Sequence, residues 1–178
     1  YSKGAVFLAQ LAYIIGYDKL FETLRKYYDE WKFKHPLPND FRRIAERVSG
    51  IHLQWYLTDW TQTTNKIDYA IKSVEEKNNV TVLRLLRKEL MPMPLEILVV
   101  LKSGETELHY IPISLMRGEK QNNYQMSWVV HPDWSWSHLN YSLEIKYPKE
   151  EIEAIIIDPS NLMADIDKSD NYYTSEKK

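Results

Sequence analysis

The residues that could do chemistry are few. Tyr1 stands at the head of Tyr1-Ser2-Lys3-Gly4, just before a run from Ala5 to Ile15 that is apolar at nearly every position. A phenol keeps its proton at neutral pH and can donate a hydrogen bond. Beside a helix N-terminus it would stand in a positive potential that favours developing negative charge. On residue type alone, however, Tyr1 is one of 13 tyrosines. The five histidines, His35, His52, His109, His131 and His138, lack the paired spacing of a metal-binding helix. His131 and His138 could ligate a metal only if a third ligand converged on them. They lie in a segment that also carries Trp128, Trp134 and Trp136. Exposed aromatics there could form a platform for sugar rings or a partner protein, although strand tryptophans more often fill a core. Glu75-Glu76 and Glu150-Glu151 read as solvated edges or turns rather than an acid/base pair.

These residues must be positioned by two kinds of element. The run Ala5 to Ile15 predicts a helix apolar all round, hence one buried in something larger. Gly16 sits where a helix-ending glycine belongs, and Asp18 is placed to cap the next helix. In that second helix Phe21, Leu24, Tyr28 and Trp31 form a one-sided stripe up to His35-Pro36-Leu37-Pro38. A third helix, capped by Asn39 or Asp40, carries Phe41, Ile44, Ala45 and Val48 and is broken at Ser49-Gly50. A fourth presents Leu53, Tyr56, Leu57 and Trp60. Near Thr61 the hydrophobic period changes from 3.6 to 2. Alternation at Ile67, Tyr69 and Ile71, and again from Tyr141 to Tyr147, predicts strands. Between them lie runs 80–86, 95–101, 107–115 and 125–131, and a last one at 154–157. About seven short strands separated by turn signals predict an antiparallel sandwich.

The fold class expected is therefore α+β in two units: a helical unit over 1–62 and a β-sandwich over 63–164, with a polar tail over 165–178 that should fray. A net charge of −2 gives no electrostatic footprint for nucleic acid or anionic lipid. No apolar run is long enough to span a bilayer. The chain has no cysteine, which fits cytoplasm, periplasm and exterior alike, so localisation stays open. One stripe from each other helix would not cover an all-apolar opening helix. Self-association follows as an expectation, a two-fold homodimer with Val6, Phe7, Leu11 and Ile14 in the contact.

Several stretches together resemble the zinc aminopeptidases of the aminopeptidase N family, gluzincin metallopeptidases with a thermolysin-like catalytic domain. The stretches are Tyr1-x-Lys3-Gly4, Asp40-Phe41, Glu46-Arg47-Val48-Ser49-Gly50 with Leu53, Trp55 and Trp60, then Ile67-Asp68-Tyr69, Met91-Pro92-Met93-Pro94-Leu95, and Ile157-Asp158-Pro159 with Asp165. They run in the family's order over nearly the whole chain. The resemblance implies that residues 1–62 close a catalytic domain and that the strands form the family's small β-sandwich. It implies that Tyr1 is catalytic, donating to the tetrahedral intermediate when zinc-activated water attacks the peptide carbonyl. Lys3 would pair with a carboxylate elsewhere, and Gly4 would allow close backbone approach. The family's H-E-x-x-H helix and Gly-x-Met-Glu-Asn segment are absent from these 178 residues. Starting at Tyr1 without an initiator Met, the chain reads as a C-terminal fragment of such an enzyme. Zinc and peptide substrate then belong to the parent; this piece would bind no zinc and be inactive alone. The alternative is a non-catalytic β-sandwich binding module for protein or carbohydrate, with the helices as scaffold.

Overall fold

A computed structural model describes residues 1–122 and 124–175. The architecture is α+β: four helices, then strands arranged in two sheets, one antiparallel and one mixed. Two compact units result. The first comprises Tyr1–Asn65 and Ser114–Gln121; the second begins at Lys66–Ile113 and takes up the chain again at Asn122.

In the helical unit, α1 spans Ser2–Ile15, α2 Tyr17–Trp31, α3 Pro38–Ser49 and α4 Gln54–Gln62. Gly16 ends α1 with φ 88°, a conformation costly for any side chain, and its N–H returns to the Ala12 carbonyl at 2.8 Å. The same glycine is the N-cap of α2, so Asp18 lies inside the first turn and makes no capping bond. At α3, Pro38 occupies the first turn and the Asp40 carboxylate accepts the Leu37 N–H at 2.8 Å.

The face that α2 buries differs from the stripe its sequence suggests. Phe21 and Tyr28 are exposed at 53% and 65%, whereas Leu20 and Thr23 are buried and Tyr27 and Trp31 half-buried. Helical spacing also joins positions 20, 23, 27 and 31. Thr23 can lie inside because its hydroxyl donates to the Lys19 carbonyl at 2.7 Å. From Gln10 to Ile15 the apolar opening helix is covered within the chain as well. Leu11 and Ile14 are 1% and 0% exposed, so they are not available to the dimer contact drawn from composition. The segment 114–121, far along the sequence, supplies cover that a count of helical stripes omits. It lies so close that a Cβ on Gly118 would stand 3.0 Å from the Gly50 carbonyl oxygen.

In the strand unit, β1 (Tyr69–Lys77), β2 (Val80–Arg87) and β6 (Asn140–Ile145) form an antiparallel sheet in the order β1-β2-β6. The larger sheet takes the order β5-β4-β3-β7-β8, from β3 (Leu95–Leu101), β4 (Thr106–Ile111), β5 (Ser127–Val130), β7 (Ile152–Ile157) and β8 (Tyr172–Thr174). β3 is its middle strand, with Leu95, Ile97 and Val99 wholly buried. β2 alternates, burying Thr81, Leu83, Leu85 and Arg87 on one face. β5 breaks the antiparallel expectation by pairing parallel to β4. A tight hairpin cannot join parallel strands, and here the link between them leaves the unit to place 114–121 among the helices.

The segment from Asp165, whose polar composition predicts fraying, is instead tied down through Ser175; residues 176–178 of that tail lie outside the described residues. Asp165 is 8% exposed, and its Oδ2 accepts the Tyr69 N–H and the Asn171 amide, each at 3.0 Å. Its Oδ1 accepts the Asp167 N–H at 2.9 Å. The Lys88 ammonium bridges Asp68, Asp167 and Asp170 at 3.2, 3.3 and 2.8 Å, and β8 pairs with β7. Backbone donors and ion pairs hold this stretch where apolar side chains are lacking. Asp165→Ala leaves a buried strand N–H without an acceptor, a loss of about 3 kcal/mol. A lowered urea midpoint should report it, with a smaller drop for Asp165→Asn; an unchanged midpoint for the alanine variant would contradict the tie.

Candidate functional site

The head of α1 is the candidate site, and its lower half anchors it. Residues 2–6 are exposed, 7–9 half-buried and 10–15 buried, so the helix emerges from its unit toward its N-terminus. Phe7 marks the point of emergence. Its ring lies 5.0 Å from Tyr56, 6.2 Å from Trp60 and 6.4 Å from Phe41. The Tyr56 hydroxyl donates to the Phe7 carbonyl at 2.5 Å. Burial pushes the Tyr56 phenol well above its ordinary value, so it stays a donor throughout the physiological range.

The other end of α1 meets a cation from outside the helix. No basic residue occupies its last turn. Lys120, itself 8% exposed, donates to the Tyr13 carbonyl at 3.1 Å and stands 5.3 Å from the Tyr13 ring centre. An ammonium at the carbonyl end of a helix is favourable by charge and dipole, and its place over a tyrosine face adds a cation–π contact. Tyr56 lies in an apolar stripe visible in the sequence. Nothing local announces Lys120, which is 107 residues from its acceptor.

Tyr1 is the N-cap of α1. Its carbonyl accepts the Ala5 N–H at 3.0 Å, and its side chain is fully exposed. The first N–H groups of a helix have no partner within it. A phenol beside them can donate to a group carrying negative charge. Lys3 is exposed, and apart from Gly4's chain neighbours and its own helix backbone no atom of the described residues lies within 4 Å of a Cβ built on Gly4. Among the described residues no three His, Cys, Asp or Glu side chains converge to hold a metal ion. His131 meets His109, with 2.8 Å between ring nitrogens, and not His138.

The tryptophan-rich segment is mostly turned inward. Trp134 is 2% exposed, lies edge-on to Tyr69 at 5.5 Å and donates to the His138 carbonyl. Trp128 stacks between Tyr110 at 5.0 Å and Tyr124 at 5.9 Å. Only Trp136 of the three is an exposed ring, which leaves a sugar platform one face instead of several. Glu75 pairs with Arg84 at 3.4 Å, and Glu76 accepts the Lys149 N–H. Both serve as exposed strand-edge partners. No helix is long and apolar enough to cross a membrane among the described residues.

No protein-family model matches the chain, and no curated protein matches it.

The anchoring of α1 can be tested at its buried end. Lys120→Met keeps an unbranched side chain one atom shorter but removes the charge from the Tyr13 carbonyl. A loss of about 2 kcal/mol is expected in thermal unfolding followed through the helical signal. Equal stability would mean that the ammonium contributes nothing to holding the helix.

Proposed function

We propose that this chain is the closing part of a zinc aminopeptidase of the aminopeptidase N family. On this reading the helices end the catalytic domain and the strands form the β-sandwich that follows it. The observation that carries the reading is that residues of its separate motifs are partners of one another. Within the strand unit, the Tyr69 hydroxyl accepts the Met93 N–H at 2.7 Å, and the Tyr69 N–H reaches Asp165. Within the helical unit the contact is inside one stretch, where Glu46 Oε1 accepts the Leu53 N–H at 2.7 Å. The bare head of α1 agrees with this. Val6 is 39% exposed on a helix whose composition calls for burial.

Among the described residues no three His, Cys, Asp or Glu side chains converge on one point. In the parent enzyme the metal, its ligands and the amine anchor come from other parts of the sequence. This chain contributes the Tyr1 phenol. A donor aimed at the oxygen that becomes negative in acyl transfer binds the transition state more strongly than the ground state. Removing one such donor typically costs about 2.7–4 kcal/mol of barrier.

Two outcomes test the reading. In the full-length enzyme, Tyr1→Phe should lower kcat by about a hundredfold or more with KM little changed; a loss confined to KM would make Tyr1 a binding residue only. The isolated chain, incubated with zinc and an aminoacyl chromogenic amide, should show no chelator-sensitive turnover. Turnover there would place a complete catalytic centre in these residues and overturn the division of labour proposed.

A further inference from the structure

Far along the sequence from α1, the strand unit buries a cluster of ionisable side chains that the proposed reaction does not use. His109 on β4 is 3% exposed, and His131 immediately follows β5 and is half-buried. Their rings lie 14° from parallel with centres 5.1 Å apart, and His109 Nδ1 stands 2.8 Å from His131 Nε2. On the other side of the His109 ring, Nε2 is 3.6 Å from Glu107 Oε2. The other Glu107 oxygen takes the Lys146 ammonium at 2.9 Å and the Tyr147 hydroxyl at 3.1 Å. The titratable groups around His109 are therefore Glu107 on its own strand, His131 after β5, and Lys146 and Tyr147 after β6. Its register partner on β3 is the apolar Ile97.

Two imidazoles 2.8 Å apart share one proton. Had His109 supplied it, its Nε2 would point a lone pair at the Glu107 carboxylate. The carboxylate therefore assigns the tautomers: His109 carries hydrogen on Nε2, and His131 Nε2–H donates to His109 Nδ1. A first added proton enters at His131 Nδ1 and leaves this bond intact. A second must enter at the accepting nitrogen of His109. Two N–H groups on two positive rings would then face each other with no acceptor between them.

What the bond reaches is an edge strand of the sheet, whose ladder continues where the His131 N–H donates to the Tyr110 carbonyl at 2.9 Å. β5 has four residues, lies at the edge, and pairs through a parallel ladder with β4 alone. Ser127 and Val130 are exposed, and the Trp128 ring is placed by stacking on Tyr110 and Tyr124. We propose that the His109–His131 pair is an acid-operated latch: protonation of both rings breaks their bond and frees β5, lifting Trp128 from Tyr110 while the other strands stay paired.

Burial first, and then the neighbouring His131, push His109 down from the ordinary 6.5 to about 4, against the opposing pull of Glu107. Burial also lowers His131. The folded His109 thus binds protons more weakly than the unfolded one. Its contribution is complete above the ordinary histidine value and is lost as pH falls through about 4.

The test is a titration of the intact chain from pH 7.5 to 3.5 by NMR, reading the histidine ring carbons and the indole N–H of Trp128. The indole signal is assigned by its loss in Trp128→Phe. Movement of the Trp128 indole with the midpoint of His109, while the other indoles hold, is the expected result. In His109→Asn the side-chain oxygen can still accept from His131 but does not titrate, and the Trp128 transition should vanish from this range. The latch is overturned by an unmoved Trp128 while His109 titrates, by loss of all indole signals together, or by an unchanged Trp128 midpoint in His109→Asn. Should that variant not fold, the coincidence of the two midpoints in the unaltered chain decides alone.

Discussion

The strand unit depends on the burial of a single polar side chain, Tyr69. Its hydroxyl accepts the Met93 N–H and donates to the Met93 carbonyl, and its own N–H is taken by Asp165. Three stretches, 24 and 96 residues from one another in these pairs, are thereby held at one residue. Burial pushes its phenol up to about 12, so the hydroxyl stays neutral at any ordinary pH and both bonds persist. An unmade bond at this depth would leave a desolvated group, so the three stretches come together as a set.

The helical unit solves a different problem. An apolar helix can slide or rotate against apolar neighbours at little cost, because hydrophobic contact is not directional. Two polar contacts remove that freedom from α1. Tyr56 fixes it near Phe7, and Lys120 fixes it near Tyr13. Between them the side chains from Gln10 to Ile15 are buried, while the first turn projects with Tyr1 at its tip. For a phenol whose proposed task is to meet a developing charge, position along the helix axis is what matters, and these two contacts set it.

The same chemistry gives opposite outcomes in the two polar clusters of the strand unit. Around Lys88 the partners carry opposite charge, so the cluster ties Asp68 to the segment after Asp165. Around His109 the partner is another base, and the bond survives only while the acceptor nitrogen is empty. One cluster is held by its charges; in the latch proposed for the other, the bond needs the accepting nitrogen of His109 empty.

Local spacing in the sequence was sufficient for the order of the four helices and of β1 to β7, for the glycine that ends α1, and for β3 as a strongly apolar strand. These follow from neighbours within a turn or a pleat. Tertiary structure alone decided which side of α2 turns inward, because a threonine that bonds its own helix competes with a phenylalanine as a buried residue. It decided that β5 runs parallel, since the long link before it lends 114–121 to the helices. It also ordered the polar stretch after Asp165 through acceptors and cations that composition counts as solvated. The resemblance drawn from Tyr1-x-Lys3-Gly4 rests on adjacent residues. The partners of Tyr13, Tyr69 and His109 were not, since a buried polar atom takes whichever complementary group the fold brings within 3 Å or so, and that group is 22 to 107 residues away.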